Sequence, residues 1–142
     1  MPEVRTSIWT ALPPARVLEV LTDFGPARAE AWPGVDAARL TLHDSGPGWA
    51  EVTEGNRIGW ERERYRWDPE AGTVSAETVE SNLWAAGSRW DYRLTAERGG
   101  TTVDVTLRRQ GRGLKGRLVG ALLPLVGARM IRDGLTGALL RG

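Results

Sequence analysis

Much of the chain alternates between apolar and polar residues, the period expected of strands with one buried face. Residues 3–12, EVRTSIWTAL, form the first such run. Six further β-like runs follow between residues 38 and 109: ARLTLHD, WAEVTE, IGWERERYRWD, TVSAETVES, SRWDYRLTAE and TTVDVTLRR. Short segments rich in turn residues separate them, and such short connections join antiparallel neighbours. The pattern predicts an N-terminal strand and a six-stranded meander.

Helical spacing is found in two regions. The segment PARVLEVLTDF, residues 14–24, predicts one short helix, and a second is expected at about 25–31. A long C-terminal helix is predicted over roughly 113–140, with Pro124 removing one of its hydrogen bonds. Its uncharged stretch, residues 118–128, would extend about 16 Å, against the ~30 Å of a bilayer core. The sequence therefore predicts a buried helix and not a membrane span.

This order of elements predicts an α+β fold in a single domain covering residues 1–142. A long antiparallel meander has an apolar face that another element must cover. Only the C-terminal helix is long enough to cover it. We expect a curved sheet of about seven strands wrapped around that helix.

Glycines recur at intervals of seven in the predicted helix, at Gly113, Gly120, Gly127 and Gly134. Each costs about 0.8–1.0 kcal/mol relative to alanine in a helix interior. Three interpretations remain open: close backbone packing, space for a ligand, or a glycine-rich composition. The ligand interpretation places Gly120, Gly127 and Met130 at a ligand site.

Composition excludes several classes of function. The 142 residues contain no cysteine and one histidine, which excludes disulfides, thiolate zinc sites and multi-histidine metal sites. The net charge of +1 gives no general attraction to nucleic acid. We expect no metal and no cofactor. The N-terminal sequence lacks a secretory pattern, so a cytoplasmic location is expected.

The run WERERYRWD carries charge on both faces of its predicted strand. One face has Trp60, Arg62, Arg64 and Arg66, and the other has Glu61, Glu63, Tyr65 and Trp67. In one interpretation the strand lies partly beyond the helix, and its glutamates and arginines pair with charges on neighbouring strands. In the other two, either the glutamate face or the arginine face points inward. If the glutamate face points inward, burial would raise a carboxyl pKa and make Glu63 or Tyr65 a candidate general acid or base. Glu61 and Trp67 would then contact a ligand.

Further candidate ligand contacts lie on the neighbouring strands. Alternation in SRWDYRLTAE directs Trp90 and Tyr92 inward, where they either touch a ligand or form core. Thr78 is a candidate on the preceding strand. His43 is interpreted first as a surface turn residue and second as a base.

A basic cluster precedes the long helix: Arg108, Arg109, Arg112, Lys115 and Arg117. Such a cluster is usually a solvated junction. The alternatives are weak peripheral contact with anionic lipid headgroups or binding of a phosphorylated ligand.

Three short motifs carry a family resemblance: LPPARVLEVLTD after the first strand, WPGV after the small helices, and GGTTVDVTL before the long helix. Together they resemble the START and birch-pollen-allergen superfamily (SRPBCC), in its bacterial polyketide cyclase/dehydrase and lipid-binding branch. The chain departs from the family pattern at Leu18, where an aromatic residue is usual, and at Leu12, where alanine is common.

The resemblance implies a helix-grip fold with a deep cavity for apolar or aromatic molecules, and no universal catalytic residue. We expect the chain to bind a hydrophobic polycyclic, polyketide-like or lipid-like molecule. It would either catalyse cofactor-free cyclisation, dehydration or isomerisation, or act as a non-catalytic, membrane-peripheral carrier of lipid or quinone. The ligand and the oligomeric state are left open.

Overall fold

The computed structural model describes residues 2–141, in which seven strands form one antiparallel sheet. The strands are β1 (Glu3–Thr10), β2 (Thr41–Gly46), β3 (Trp49–Gly55), β4 (Trp60–Asp68), β5 (Thr73–Ser81), β6 (Arg89–Glu97) and β7 (Gly100–Arg108). Their spatial order is β1-β7-β6-β5-β4-β3-β2. The six later strands form the expected meander, and β1 pairs with β7 at its end.

Three α-helices accompany the sheet: α1 (Pro14–Leu21), α2 (Ala27–Ala31) and α3 (Gly113–Arg141). A single 3₁₀ turn, Ala37–Arg39, precedes β2. α1 begins at Pro14, whose missing N–H costs nothing in a first helical turn. α3 continues through Pro124 to the end of the described chain. This architecture confirms the predicted helix-grip fold.

The core lies between α3 and the inner face of the sheet. Alternate strand residues point towards it, including Val52 of β3, Val74 of β5 and Val105 of β7, all at most 1% exposed. From α3, Leu123 and Leu135 pack against this face. Within residues 2–141, no helix is long and apolar enough to cross a membrane.

Two glycines of α3 allow the helix to lie close to other segments. A Cβ at Gly116 would clash with the carbonyl oxygen of Leu83, and a Cβ at Gly127 would lie 3.1 Å from Cγ2 of Val4 on β1. At Gly134, by contrast, a Cβ would meet no other atom within 4 Å. Gly116 and Gly127 therefore serve close packing, whereas Gly134 leaves open space.

Candidate functional site

A cavity of about 540 Å³ lies between the sheet and α3. Its walls are mainly apolar and aromatic. Among the residues that line it are Leu21, Leu83, Leu107, Leu123, Ile131 and Leu135. Five arginine and glutamate side chains also reach it: Arg28, Glu54, Glu61, Glu63 and Arg109. A mostly apolar cavity with a few converging polar groups is typical of a small-molecule site.

The glutamate face of β4 points into this cavity. Glu61, Glu63 and Tyr65 line it, and Glu63 is 1% exposed. On the outer face, Arg62 and Arg64 both bind the carboxylate of Glu51 on β3, in partly exposed ion pairs. The strand thus combines two of the predicted arrangements, with charges paired across strands outside and carboxyl groups inside.

Arg28 and Glu54 form a buried ion pair at one side of the cavity. Arg28 Nε donates to Glu54 Oε2 at 2.6 Å, and the Arg28 guanidinium also donates to the Tyr65 hydroxyl oxygen at 2.9 Å. The Tyr65 hydroxyl in turn donates to Glu54 Oε1 at 2.6 Å. Tyr65 is therefore fully engaged by its neighbours, and burial raises the pKa of its phenol well above its ordinary value.

Arg109 and Glu61 form a second ion pair on another part of the wall. Arg109 Nη2 donates to Glu61 Oε1 at 2.7 Å, and the Thr78 hydroxyl donates to Glu61 Oε2 at 2.9 Å. The Arg109 guanidinium lies 4.9 Å from the ring centre of Trp84 and 5.3 Å from that of Trp90. The ion pair and these cation–π contacts compensate for the burial of the charge.

Glu63 has no comparable cationic partner. Its Oε2 atom is buried and accepts no hydrogen bond from any described residue. Burial, followed by the negative charges of Glu61 and Glu54, raises the Glu63 pKa well above the ordinary carboxyl value. Burial alone would raise the Glu54 pKa, but the charge and hydrogen bonds of Arg28, with hydrogen bonds from Tyr65 and Glu63, lower it. Of this pair of carboxyls, Glu63 is therefore the one that binds a proton more readily.

Trp32 contributes a second unpartnered group to the same cavity. Its Nε1 is the other buried side-chain polar atom without a hydrogen-bond partner among residues 2–141. A buried donor without an acceptor is costly, so a group of this kind calls for an explanation. Trp32 and Glu63, both in the cavity wall, are thus the two described residues with such an atom.

Aromatic side chains form another part of the wall. Trp90 and Tyr92 of β6 both line the cavity, with near-parallel rings whose centres are 6.2 Å apart. Burial raises the Tyr92 pKa, so its phenol stays neutral at physiological pH. Trp60 and Trp84 line the cavity as well. These rings offer stacking surfaces to a planar ligand.

The structure places some predicted site residues in the cavity wall and others outside it. Glu61, Glu63, Tyr65, Trp90, Tyr92 and Met130 line the cavity. Trp67, Thr78, Gly120 and Gly127 do not line it. The roles of the residues in the wall remain predictions.

Each residue outside the wall has a local packing role. The Trp67 ring lies 6.3 Å from that of Phe24, and the Thr78 hydroxyl is occupied by Glu61. A Cβ at Gly120 would lie 3.5 Å from the Trp84 ring, and Gly127 faces Val4. These four residues contact other side chains outside the cavity wall or support residues that line it.

His43 lies away from the cavity, on β2. It is exposed, and its Nε2 lies 2.6 Å from the Thr53 hydroxyl of β3. Within residues 2–141, no cluster of three or more histidine, aspartate and glutamate side chains could hold a metal ion.

Four residues of the wall were not among the candidates from sequence: Arg28, Trp32, Glu54 and Trp84. The solvated junction favoured for the basic cluster does not hold for Arg109. The Arg109 side chain is only 6% exposed. A signal for this position was present, because it continues the inward alternation of Val103, Val105 and Leu107. No comparable pattern marks Arg28, whose acidic partner is 26 residues away.

Comparison with solved structures finds the same fold at low sequence identity. The Zhui aromatase/cyclase from Streptomyces sp. R1128 has a TM-score of 0.81 and 18% identity, covering 97% of this chain and 91% of that one. TTHA0849 from Thermus thermophilus has a TM-score of 0.81 and 19% identity, with 99% and 96% covered. A START superfamily protein from Mycobacterium smegmatis has a TM-score of 0.77 and 12% identity, with 98% and 97% covered.

No curated protein matches the sequence. A family model does match, that of polyketide cyclase/dehydrase and lipid transport proteins, and it aligns with residues 1–138. Because this match spans nearly the whole chain and the fold agrees with it, the chain belongs to the polyketide cyclase/dehydrase and lipid transport family.

Proposed function

We propose that the cavity binds a neutral, oxygen-bearing hydrophobic molecule of the polycyclic or polyketide-like class, and that Glu63 exchanges a proton with it. The observation that carries this proposal is the buried Glu63 carboxyl, whose Oε2 has no hydrogen-bond partner, in an otherwise apolar and aromatic cavity. When protonated, this carboxyl would exchange its hydrogen bond with Glu54 for one donated to a carbonyl or hydroxyl oxygen of the ligand. The Trp32 indole N–H supplies a second donor to the same ligand.

The charges of the cavity favour a neutral ligand over an anionic one. Arg28 is paired with Glu54, and Arg109 with Glu61. Neither arginine is available for a ligand carboxylate or phosphate, and an added anion would lie close to three glutamates. A ketone, phenol or quinone suits these groups better than a fatty acid.

The chemistry that fits best is a dehydration accompanying ring closure. Glu63 would give its proton to a hydroxyl β to a carbonyl, which leaves as water. The resulting carboxylate would then take the proton from the intervening carbon, so that a C=C bond forms and the acid is restored. The cavity would hold the chain in a reactive conformation. Tyr65 is less suited to proton transfer, because its hydroxyl already bonds Arg28 and Glu54.

A second candidate function is non-catalytic carriage of a lipid or quinone. It is favoured by three side chains of α3, Leu122, Val126 and Met130, which line the cavity and are also more than half exposed. An apolar opening of this kind suits transfer of a ligand to and from another apolar phase. Turnover of the bound ligand distinguishes the two candidates.

The test begins with native mass spectrometry of the purified protein, which identifies any ligand that remains bound. Calorimetry with 1-naphthol, naphthalene and 1-naphthoate then compares the same ring with a hydroxyl, no oxygen and a carboxylate. We expect 1-naphthol to bind most tightly. Tightest binding by 1-naphthoate would contradict the neutral-ligand proposal.

The substitution that tests catalysis is Glu63→Gln, with Arg64→Gln on the opposite face of β4 as the control. The amide is nearly isosteric but cannot exchange the proton, so turnover of the identified ligand should disappear while affinity survives. Equal loss of turnover in both variants would show a structural effect. Unchanged turnover in Glu63→Gln would remove Glu63 from the mechanism.

A further inference from the structure

α3 carries a row of exposed apolar side chains, spaced mostly by four residues, that winds around the helix towards the cavity mouth. We name this surface the α3 apolar face, and it consists of Leu114, Leu118, Leu122, Leu125, Val126 and Met130. Leu125 is 81% exposed, and every member is more than half exposed. Large apolar side chains in a contiguous exposed patch mark an interaction site more often than scattered ones do.

The loop between β3 and β4 extends this face. Ile58 at its tip is 61% exposed, and the Lys115 ammonium on the first turn of α3 donates to the Ile58 carbonyl oxygen at 3.3 Å. Ile58 also lines the cavity, as do Leu122, Val126 and Met130 of the α3 apolar face. The exposed apolar surface and the mouth of the cavity are therefore one continuous region.

Positive charge surrounds the same region. α3 carries Lys115, Arg117, Arg129 and Arg132 along this part of its length, and its acidic residue, Asp133, lies 3.9 Å from Arg129. Arg112 precedes the helix, and Arg57 adjoins Ile58. The basic residues predicted from sequence require one correction here, because Arg109 is buried against Glu61 and Arg108 pairs with Glu3. The exposed positive charge lies instead along α3 itself.

We propose that the α3 apolar face docks on the surface of an anionic lipid bilayer and turns the mouth of the cavity towards the acyl chains. The apolar residues would enter the interface while the flanking lysine and arginines contact lipid headgroups. A second copy of the chain fits less well, since a two-fold symmetric contact would bring the same cationic surfaces together. The proposal does not depend on which ligand occupies the cavity, nor on any turnover.

The experiment is co-sedimentation of the full chain with two kinds of vesicle, one of phosphatidylcholine alone and one of equal parts phosphatidylcholine and phosphatidylglycerol. We expect binding to the anionic vesicles that weakens as salt is added. Leu125→Ser should weaken that binding by about tenfold, because one leucine side chain no longer enters the interface. Leu125 is so exposed that this substitution should not disturb folding.

Leu140→Ser is the matched control. Leu140 is 83% exposed on the same helix but lies roughly 22 Å further along its axis, beyond Asp133. Its substitution should leave vesicle binding nearly unchanged. Equal loss in the two variants, or no binding to anionic vesicles by the unaltered protein, would overturn the proposal. A stable dimer that Leu125→Ser dissociates would also overturn it, because a second copy would then cover this face.

Discussion

Arg28 Nε lies 2.6 Å from Glu54 Oε2, and the two side chains are 4% and 11% exposed. The arginine comes from α2 and the glutamate from β3, so this contact ties a short helix to the sheet at the edge of the cavity. The Arg28 guanidinium also donates to the Leu21 and Asp23 carbonyl oxygens at 3.2 Å each. One side chain thus holds the segment between α1 and α2 against the cavity wall.

Replacing one member of this pair should destabilise the protein strongly. Arg28→Met leaves the Glu54 carboxylate buried without its cation, which should lower the free energy of unfolding by about 3–5 kcal/mol. The double variant Arg28→Met/Glu54→Met should recover part of that loss, because no lone charge remains. Urea unfolding measures both values. Arg62→Met, from the partly exposed pair with Glu51, is the control and should cost no more than about 1 kcal/mol.

The raised pKa of Glu63 predicts a specific pH dependence of stability. A folded carboxyl whose pKa is raised stays protonated while the unfolded chain ionises above about pH 4.3, so its contribution to stability falls as pH rises from there towards the folded pKa. The unfolding free energy of the unaltered protein relative to Glu63→Gln should therefore decrease between about pH 5 and about pH 8. Urea unfolding at the two pH values tests this. If the difference in unfolding free energy between the two proteins is the same at both pH values, the folded pKa of Glu63 is not raised. Glu70→Gln, at an exposed turn, is the control for the substitution itself.

Intrinsic fluorescence should report on the cavity. Trp90 lies in the wall beside Tyr92 and under the Arg109 guanidinium, so a bound aromatic ligand should quench or shift its emission. Trp90→Phe should remove part of that response, and not all of it, because Trp32, Trp60 and Trp84 also line the cavity. Truncation to alanine would add a packing defect of roughly 3–5 kcal/mol. The control is Trp49→Phe, outside the wall, and an equal loss there would contradict the assignment of Trp90.

Two glycines of α3 predict opposite effects of the same substitution. Gly134 borders the cavity with open space, so Gly134→Leu should reduce ligand binding, with a gain of up to about 1 kcal/mol in helix propensity. Gly127 faces Val4 at close range, so Gly127→Leu should lower the free energy of unfolding. Thermal unfolding and calorimetry with 1-naphthol measure the two properties. If Gly127→Leu loses ligand binding while its stability is unchanged, Gly127 lines the cavity and this prediction is wrong.

The fold was predictable from sequence because its signals are local. Strand alternation and turn residues located every strand of the meander, and the long apolar helix had only one face of the sheet to cover. The prediction was incomplete at the glycines of α3. Their seven-residue spacing places them on one stripe of the helix, but it does not identify the neighbour that each glycine meets. That neighbour is Val4 for Gly127 and open space for Gly134.

The site was predictable only in part, since its charges are arranged by tertiary contacts. Alternation could separate the two faces of β4 but could not choose the inner one, because both carry charge. The choice depends on Arg28 and Arg109, which compensate Glu54 and Glu61 from distant parts of the chain. Alternation indicates that Arg109 points inward, but nothing in the sequence pairs it with Glu61 or Arg28 with Glu54, so the raised pKa of Glu63 could not be derived from the sequence.

The division of the cavity between sheet and helix has an evolutionary consequence. Its charged groups lie mainly on β3, β4 and the end of β7, whereas part of its rim consists of Leu122, Val126 and Met130 on one helix. Because these rim positions are more than half exposed, substitutions there should alter stability by only about 0.5 kcal/mol while changing which molecules enter. Natural variation or directed selection on α3 can therefore change ligand preference step by step, with the charged groups of the sheet unchanged.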